Sequence, residues 1–465
     1  MPQETVDVIV VGAGQGGGPL ASAFANAGRR TMLIEREHAG GTCVNTGCTP
    51  TKTMIASGRV AHLARRAADY GVHVGDISID MERVRKRKRD MVEMFHEGSE
   101  SGITSTEGLD YLEGEARFVG DMTLEVALNE GGSRTVTAGT IVLNVGERPR
   151  ELAIDISEGV TVLDSTSVME LGEVPDLLVV VGGGVIGVEF AQLFRRLGSE
   201  VTILQRGGKL LGGEDSEISD AVAKILTEDG ITIEFDAIAT ALLRSGSGVD
   251  VVVERKDETR FTVKASHILA AAGRTPNTDS LNLAATGLDT DERGYLETDD
   301  RLETDVAGIY AIGDIRPGPK FTHISYDDYR IVKANLIDDG SRSVNDRPVP
   351  YTVFMDPQLG RVGLSEQEAK EQGVPYRVAE MQMSSVARAL ETDETRGMMK
   401  AIVHAETQMI LGAAVLGIEG GEVMSMIQIA MMGDLPYTTL RDGVFAHPNL
   451  SEALNSLFGS FRDET

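Results

Sequence analysis

The sequence predicts an α/β protein with two Rossmann-like dinucleotide-binding domains and a C-terminal α+β domain. Three observations carry this expectation. A glycine-rich turn between a β-rich run and a helical segment occurs near residue 12 and again near residue 182. At 465 residues the chain has room for several domains of roughly 100–200 residues each. After about residue 346 the pattern changes to short strand-like pieces with helices, including AIVHAETQMILGAAVLG and a Met-rich helix.

The first element is VDVIVVGAGQGGGPLASAFANAGRRTMLIERE. A β-run, Val6 to Val11, leads into a turn carrying Gly12, Gly14 and Gly17, then an Ala-rich helix and a second strand ending at Glu35. Such glycines let the backbone approach a pyrophosphate at a helix N-terminus, and an acid about 20 residues on is placed to accept hydrogen bonds from a ribose. The second copy, LLVVVGGGVIGVEFAQLFRRLGSEVTILQRGGKLL, repeats the pattern with Gly182, Gly184 and Gly187. Its second strand ends in Gln205-Arg206 where an acid is expected. A guanidinium there suits a 2′-phosphate, so NADPH is favoured and NADH is the alternative.

Two short segments, TIVLNVGERP with Gly146 and HILAAAGRTPNT with Gly273, read as strands that close one domain and cross to the next. A third, GIYAIGD, places Asp314 just after a strand, where its carboxylate can bind a ribityl or ribose hydroxyl. The order predicts a first nucleotide domain interrupted by the second: 1–148, then 149–273, a return segment 274–345, and a C-terminal domain 346–465.

Composition excludes several classes. A formal charge of −28 would repel phosphate, so no nucleic-acid partner is expected. No long apolar run suggests a membrane span, and the N-terminus lacks a basic region before its apolar stretch, so cytoplasmic residence is expected. The only two cysteines, Cys43 and Cys48, cannot build a zinc ribbon, and no metal site is assigned. A lone pair in a reducing compartment points to redox activity or sensing.

Together the two glycine turns, the C-x4-C pair in GGTCVNTGCTPTK, the AIGD segment and the terminal HPNLSE resemble the pyridine nucleotide-disulphide oxidoreductases, a family that includes glutathione reductase, dihydrolipoamide dehydrogenase and mercuric reductase. The resemblance spans nearly the whole chain. It implies FAD at the first turn, with Gly41, Thr42, Lys52, Gly146 and Asp314 contributing, and a nicotinamide cofactor at the second, with Gly273 nearby. It implies that Cys43 and Cys48 form a redox disulphide, Cys48 against the flavin and Cys43 as the interchange thiol. Bridging them requires α-carbons roughly 4.4–6.8 Å apart, so the segment must coil back; Gly47 is expected to free that turn and Pro50 to sit in the first turn of the following helix. A thiol at a helix N-terminus ionises more readily.

The resemblance further implies that Lys52 pairs with Glu189 near the flavin. It also implies that His447, oriented by Glu452, serves as the acid–base of a homodimeric site. The expected activity is an NAD(P)H-dependent flavin disulphide oxidoreductase acting on a small-molecule disulphide or thiophilic metal ion, most like the mercuric-reductase branch. The ending FGSFRDET lacks that enzyme's vicinal cysteines. Dihydrolipoamide dehydrogenase using NAD is one alternative, and a redox-sensing flavoprotein another. The basic block RVRKRKRD, residues 83–90, is read as a solvated helix face, and Met424, Met426, Met431 and Met432 as packing residues.

Overall fold

The computed structural model describes residues 4–462. The architecture is mixed α/β and divides into two compact units. The first comprises residues 1–54, 82–150 and 273–347; the second comprises 55–81, 151–272 and 348–465.

In the first unit, strand β1 (Glu4–Val11) is an apolar run buried on both faces, as a central parallel strand requires. Helix α1 (Gly17–Asn26) returns the chain to β2 (Thr31–Glu35), which lies parallel to β1. Two helices follow, α2 (Gly41–Asn45) and α3 (Cys48–Arg65), then the 24-residue α4 (Met81–Thr104). Strand β3 (Leu109–Gly120) pairs parallel with β2, and β4 (Thr123–Leu128) links β3 to β5 (Ser133–Leu143) in an antiparallel meander. Strand β5 lies parallel to β1 on its other side and to the returning strand Ile309–Ala311. Val8 and Val10 face one core and Ile9 and Val11 the other, so the sheet is covered on both sides.

The basic block on α4 is largely the solvated face expected, Arg87 included, with Lys88 as the exception. Arg83, Lys86 and Arg89 are exposed, but Lys88 is buried, and Arg87 donates to the Thr53 carbonyl at 2.6 Å. Long cationic side chains can lay their stems along apolar surface, so a charged run need not be a wet one.

The second unit holds a five-stranded parallel sheet in the order Ile231–Glu234, Glu200–Leu204, Leu177–Val181, His267–Ala270, Val162–Leu163. It also holds a five-stranded antiparallel sheet built from Tyr351–Val353, Gln358–Gly363, Ile410–Gly417, Met398–His404 and Tyr376–Gln382. The helix Gly420–Met432 covers this second sheet; Met424 is buried there, with Met426 and Met431 packed alongside, while Met432 is exposed. Among the described residues no helix is long and apolar enough to cross a membrane.

One buried cation helps to hold this unit together. Lys400, 2% exposed, reaches Glu366 at 2.6 Å, Asp215 at 3.1 Å and Glu217 at 3.3 Å. Burial disfavours its charge, but the carboxylates outweigh that and hold its pKa above the ordinary lysine value. Removing the cation would strand buried Asp215. Lys400→Met is therefore expected to cost about 3–5 kcal/mol, visible as a lower denaturation midpoint, because one partner of a buried pair is lost. Arg441→Met, which breaks an exposed pair with Asp442, should leave the midpoint unchanged.

Candidate functional site

The first glycine turn is shaped by backbone-on-backbone packing. Gly12 has φ +102°, and a Cβ on it would overlap the Asn144 carbonyl; a Cβ on Gly17 would overlap the Gly12 carbonyl. The second turn repeats both constraints: Gly182 has φ +115° and faces the Ala271 carbonyl, and Gly187 faces Gly182. Helix α1 and the helix Val185–Leu197 both begin without a side-chain cap and with no acid in the first turn. Their leading N–H groups therefore suit an anionic ligand.

The two turns differ in the residue that closes them. Glu35, ending β2, accepts the Ala13 N–H at 2.7 Å and the Glu37 N–H at 2.8 Å. At the corresponding place Gln205 accepts the Gly183 N–H at 3.0 Å through Oε1 and donates to the Lys209 carbonyl through Nε2 at 2.9 Å. A neutral amide thus replaces the carboxylate, and Arg206 beside it is exposed.

The cysteine segment is tied to the first turn. Gly40 N–H donates to the Ala13 carbonyl at 2.9 Å, the Gln15 side chain donates to the Gly40 carbonyl at 3.2 Å, and Gly41, with φ +60°, lies against Gly14. Cys43 sits in α2, next to exposed Thr42, and Cys48 opens α3, with Pro50 in its first turn. Gly47 between them does not have a positive φ. Its need is closeness, since a Cβ there would lie 2.8 Å from the Thr42 carbonyl oxygen, and this corrects the expected turn freedom.

Both cysteines are free thiols, and their side chains are hydrogen-bonded to each other. The Cys43 thiol is pushed well above the usual range, first by its bond to Cys48, then by burial and by the charge of Cys48; Thr322 and Lys52 act the other way. One proton is thus retained on Cys43. Cys48 Sγ lies 3.4 Å from Thr322 Oγ1, at the first position of the helix Thr322–Leu336.

Asp314 follows the strand Ile309–Ala311, and its turn is pinned by Asp328, which is fully buried and accepts the Gly313 N–H at 2.8 Å. Burial, then the charge of Glu147, raises the Asp314 carboxyl to about 6. Lys320 donates to the Asp314 main-chain carbonyl at 2.7 Å. A half-buried carboxylate with hydrogen-bonding capacity to spare, an uncapped helix start and two overlapping backbones that only glycine permits fit a dinucleotide with hydroxyl and phosphate groups. Gly146, φ +65°, and Gly273, φ +118°, flank the short antiparallel pair Glu147–Pro149 and Arg274–Pro276.

The other expected residues lie in the second unit. Glu189 is buried, 3% exposed, and accepts the Phe354 N–H at 2.9 Å. His447 is 71% exposed, with Nδ1 3.0 Å from Glu452 Oε2. Asn144, Asp328 and Thr322 were missed from sequence. Thr322 and Asp328 lie beyond the GIYAIGD segment, and nothing in their spacing marks them.

A family model described as pyridine nucleotide-disulphide oxidoreductase matches residues 6–328, and one described as the dimerisation domain of the same group matches 349–458. The probable pyridine nucleotide-disulfide oxidoreductase RclA of Escherichia coli is 37% identical over 97% of this chain and 98% of its own. The mercuric reductase of Bacillus cereus is 35% identical over 94% of this chain and 70% of its own. A solved Cu(II) complex of the HOCl-induced flavoprotein disulfide reductase RclA from Escherichia coli superposes with a TM-score of 0.88 at 35% identity, covering 99% of each chain.

The Asp314 carboxyl has a direct consequence for stability. Its folded pKa, about 6, lies above the ordinary 3.8, so the folded protein binds the extra proton between those values and loses stability as pH rises through 6. In FAD-free protein, Asp314→Asn should be more stable than the parent above pH 7 by at most about 3 kcal/mol, with the difference vanishing below pH 4. Urea titrations at pH 4 and pH 8 measure both limits.

Proposed function

Since the chain belongs to the pyridine nucleotide-disulphide oxidoreductase family, we propose that it passes two electrons from NADPH through the Cys43–Cys48 pair to a small disulphide or a thiophilic metal ion. The observation that carries this reading is the thiol pair itself. Its two sulfurs are hydrogen-bonded at the start of α3, on a segment stitched to the first glycine turn.

The uncapped start of α1, with Gly12, Gly14 and Gly17, would hold the FAD pyrophosphate, Glu35 its adenosine ribose and Asp314 its ribityl chain, with Gly41, Thr42, Lys52 and Gly146 around it. Bound FAD supplies the two-electron relay between nicotinamide and sulfur. Gly182, Gly184 and Gly187 would receive the nicotinamide dinucleotide near Gly273. Gln205 removes a carboxylate that would repel a 2′-phosphate, and Arg206 offers a guanidinium to it.

Reduction breaks the Cys43–Cys48 bond with two electrons and one proton, leaving a Cys43 thiol and a Cys48 thiolate, the protonation that the raised Cys43 pKa favours. Cys43, once its proton is withdrawn, forms a bond to one sulfur of a disulphide substrate as the substrate's S–S bond breaks. The Cys48 thiolate then displaces that sulfur to re-form the Cys43–Cys48 bond, so a proton must be carried from Cys43 to the departing thiol. That task suits His447 of the partner subunit, whose ring Glu452 orients, in a homodimer formed through the C-terminal domain. Lys52, one turn along α3 and acting on the Cys43 thiol, would supply positive charge beside the redox pair. A metal-ion substrate is supported by the solved relative that holds Cu(II), since reduced copper favours thiolate sulfur.

Anaerobic NADPH oxidation with glutathione disulphide, lipoamide, Hg(II) and Cu(II) tests the reading. At least one oxidant should turn over, and Cys43→Ser should lower that rate by roughly a hundredfold or more, as expected when a nucleophile is removed. No turnover with any of them, and no gain of two titratable thiols on NADPH addition, would refute it. Arg206→Ala should raise KM for NADPH about tenfold and leave KM for NADH unchanged; equal effects on both would remove the 2′-phosphate role.

A further inference from the structure

Two helix starts meet at one sulfur. Cys48 is the first residue of the 18-residue α3, and Thr322 is the first residue of the 15-residue helix that follows Asp314. Thr322 Oγ1 stands 3.4 Å from Cys48 Sγ, and the same hydroxyl acts on Cys43. A thiolate can only accept a hydrogen bond, so with Cys48 ionised the threonine hydroxyl must be the donor. We propose that Thr322 is a positioning residue that keeps Cys48 ionised and aligned by donating to its sulfur. This deepens the reductase reading and rests on it.

Other groups near the pair act differently from Thr322. Cys43, from α2, offers an S–H donor only while it keeps its proton, and it must give that proton up to react. Lys52, one turn along α3, contributes charge to the pair. Asp314, on the loop ahead of the second helix, is of the wrong sign: its own carboxyl is raised in part by Cys48, so the two negative charges repel. His323, next to Thr322, is exposed and lays its ring against Phe321, with centroids 5.4 Å apart. Thr322 is therefore a neutral donor whose contribution persists through the whole cycle, including the step at which Cys43 is deprotonated.

The test uses the full-length, FAD-containing protein in a Cys43→Ser background, so that Cys48 is the sole cysteine. Iodoacetamide labelling at Cys48 is followed against pH by mass spectrometry. Thr322→Val and Thr322→Ala, which lack the donor, should each move the labelling midpoint upward by about one pH unit, the size expected for a hydrogen bond to a charged group. Thr322→Ser, which keeps the hydroxyl, should stay close to the parent. An unmoved midpoint in either donor-free variant that retains its yellow colour, or an equal movement in the serine variant, would overturn the proposal. Labelling requires no turnover, so a protein that fails to oxidise NADPH refutes the reductase reading while this measurement still reports on Thr322.

Discussion

The short tie between Gly40 N–H and the Ala13 carbonyl, 2.9 Å long, fixes where the thiols lie. Ala13 is inside the turn that follows β1, and Gly40 ends the loop that leaves β2, so the bond joins two segments that the parallel sheet has already placed side by side. Gly41 packs on Gly14 and the Gln15 side chain closes the same gap. Helix α2, which carries Cys43, starts at the residue after Gly40, and Cys48 opens α3 only three residues after α2 ends, too short a run to wander. A glycine turn and a thiol pair are thereby held in one piece of backbone, and chemistry between a ligand on such a turn and a sulfur depends on a fixed approach.

How far this was legible in sequence depends on whether the determinant is local. Strands Leu177–Val181 and Glu200–Leu204, and the closing positions Glu35 and Gln205, follow from apolar runs and glycine spacing, and the structure places them there. The α/β class and a C-terminal domain of strands with helices were readable for the same reason, whereas the antiparallel order of that sheet was not. Gly47 was noticed for the wrong reason, because closeness to the Thr42 carbonyl cannot be inferred from a glycine symbol alone. Lys88 was missed because burial of one cation in a basic run depends on what the folded chain packs over it. Asn144, Asp328 and Thr322 were invisible because each acts on a residue 15 to 274 positions away, through contacts that exist only once the sheet has formed.

The two glycine turns illustrate how one backbone design takes different ligands. Both have a side-chain oxygen on a loop N–H, 22 residues apart in each case, so the turn geometry is conserved by a hydrogen bond that either a carboxylate or an amide can make. What changes is charge. The carboxylate brings a negative charge to its turn, whereas the amide spends its nitrogen on the Lys209 carbonyl and adds no negative charge beside Arg206. Discrimination between ligands can thus change without disturbing the fold, because the shared hydrogen bond serves structure and the leftover valence serves recognition.

A thiolate poses an electrostatic difficulty in a chain with a formal charge of −28. Net charge is a poor guide at the sulfur, since exposed charges are screened beyond a Debye length of about 8 Å at physiological ionic strength. What lies close to the pair is the opening turn of the helix that Cys48 begins, the Thr322 hydroxyl on Cys48, Lys52 acting on Cys43, and Asp314 repelled by Cys48. Dipoles and hydroxyls are neutral, so they favour the ionised sulfur without creating a cation that a bound flavin or substrate would also feel. A lysine alone in that role would pair with any anion entering the site. The arrangement leaves the acidic surface free to vary while the thiol chemistry is decided within a few ångströms of the pair.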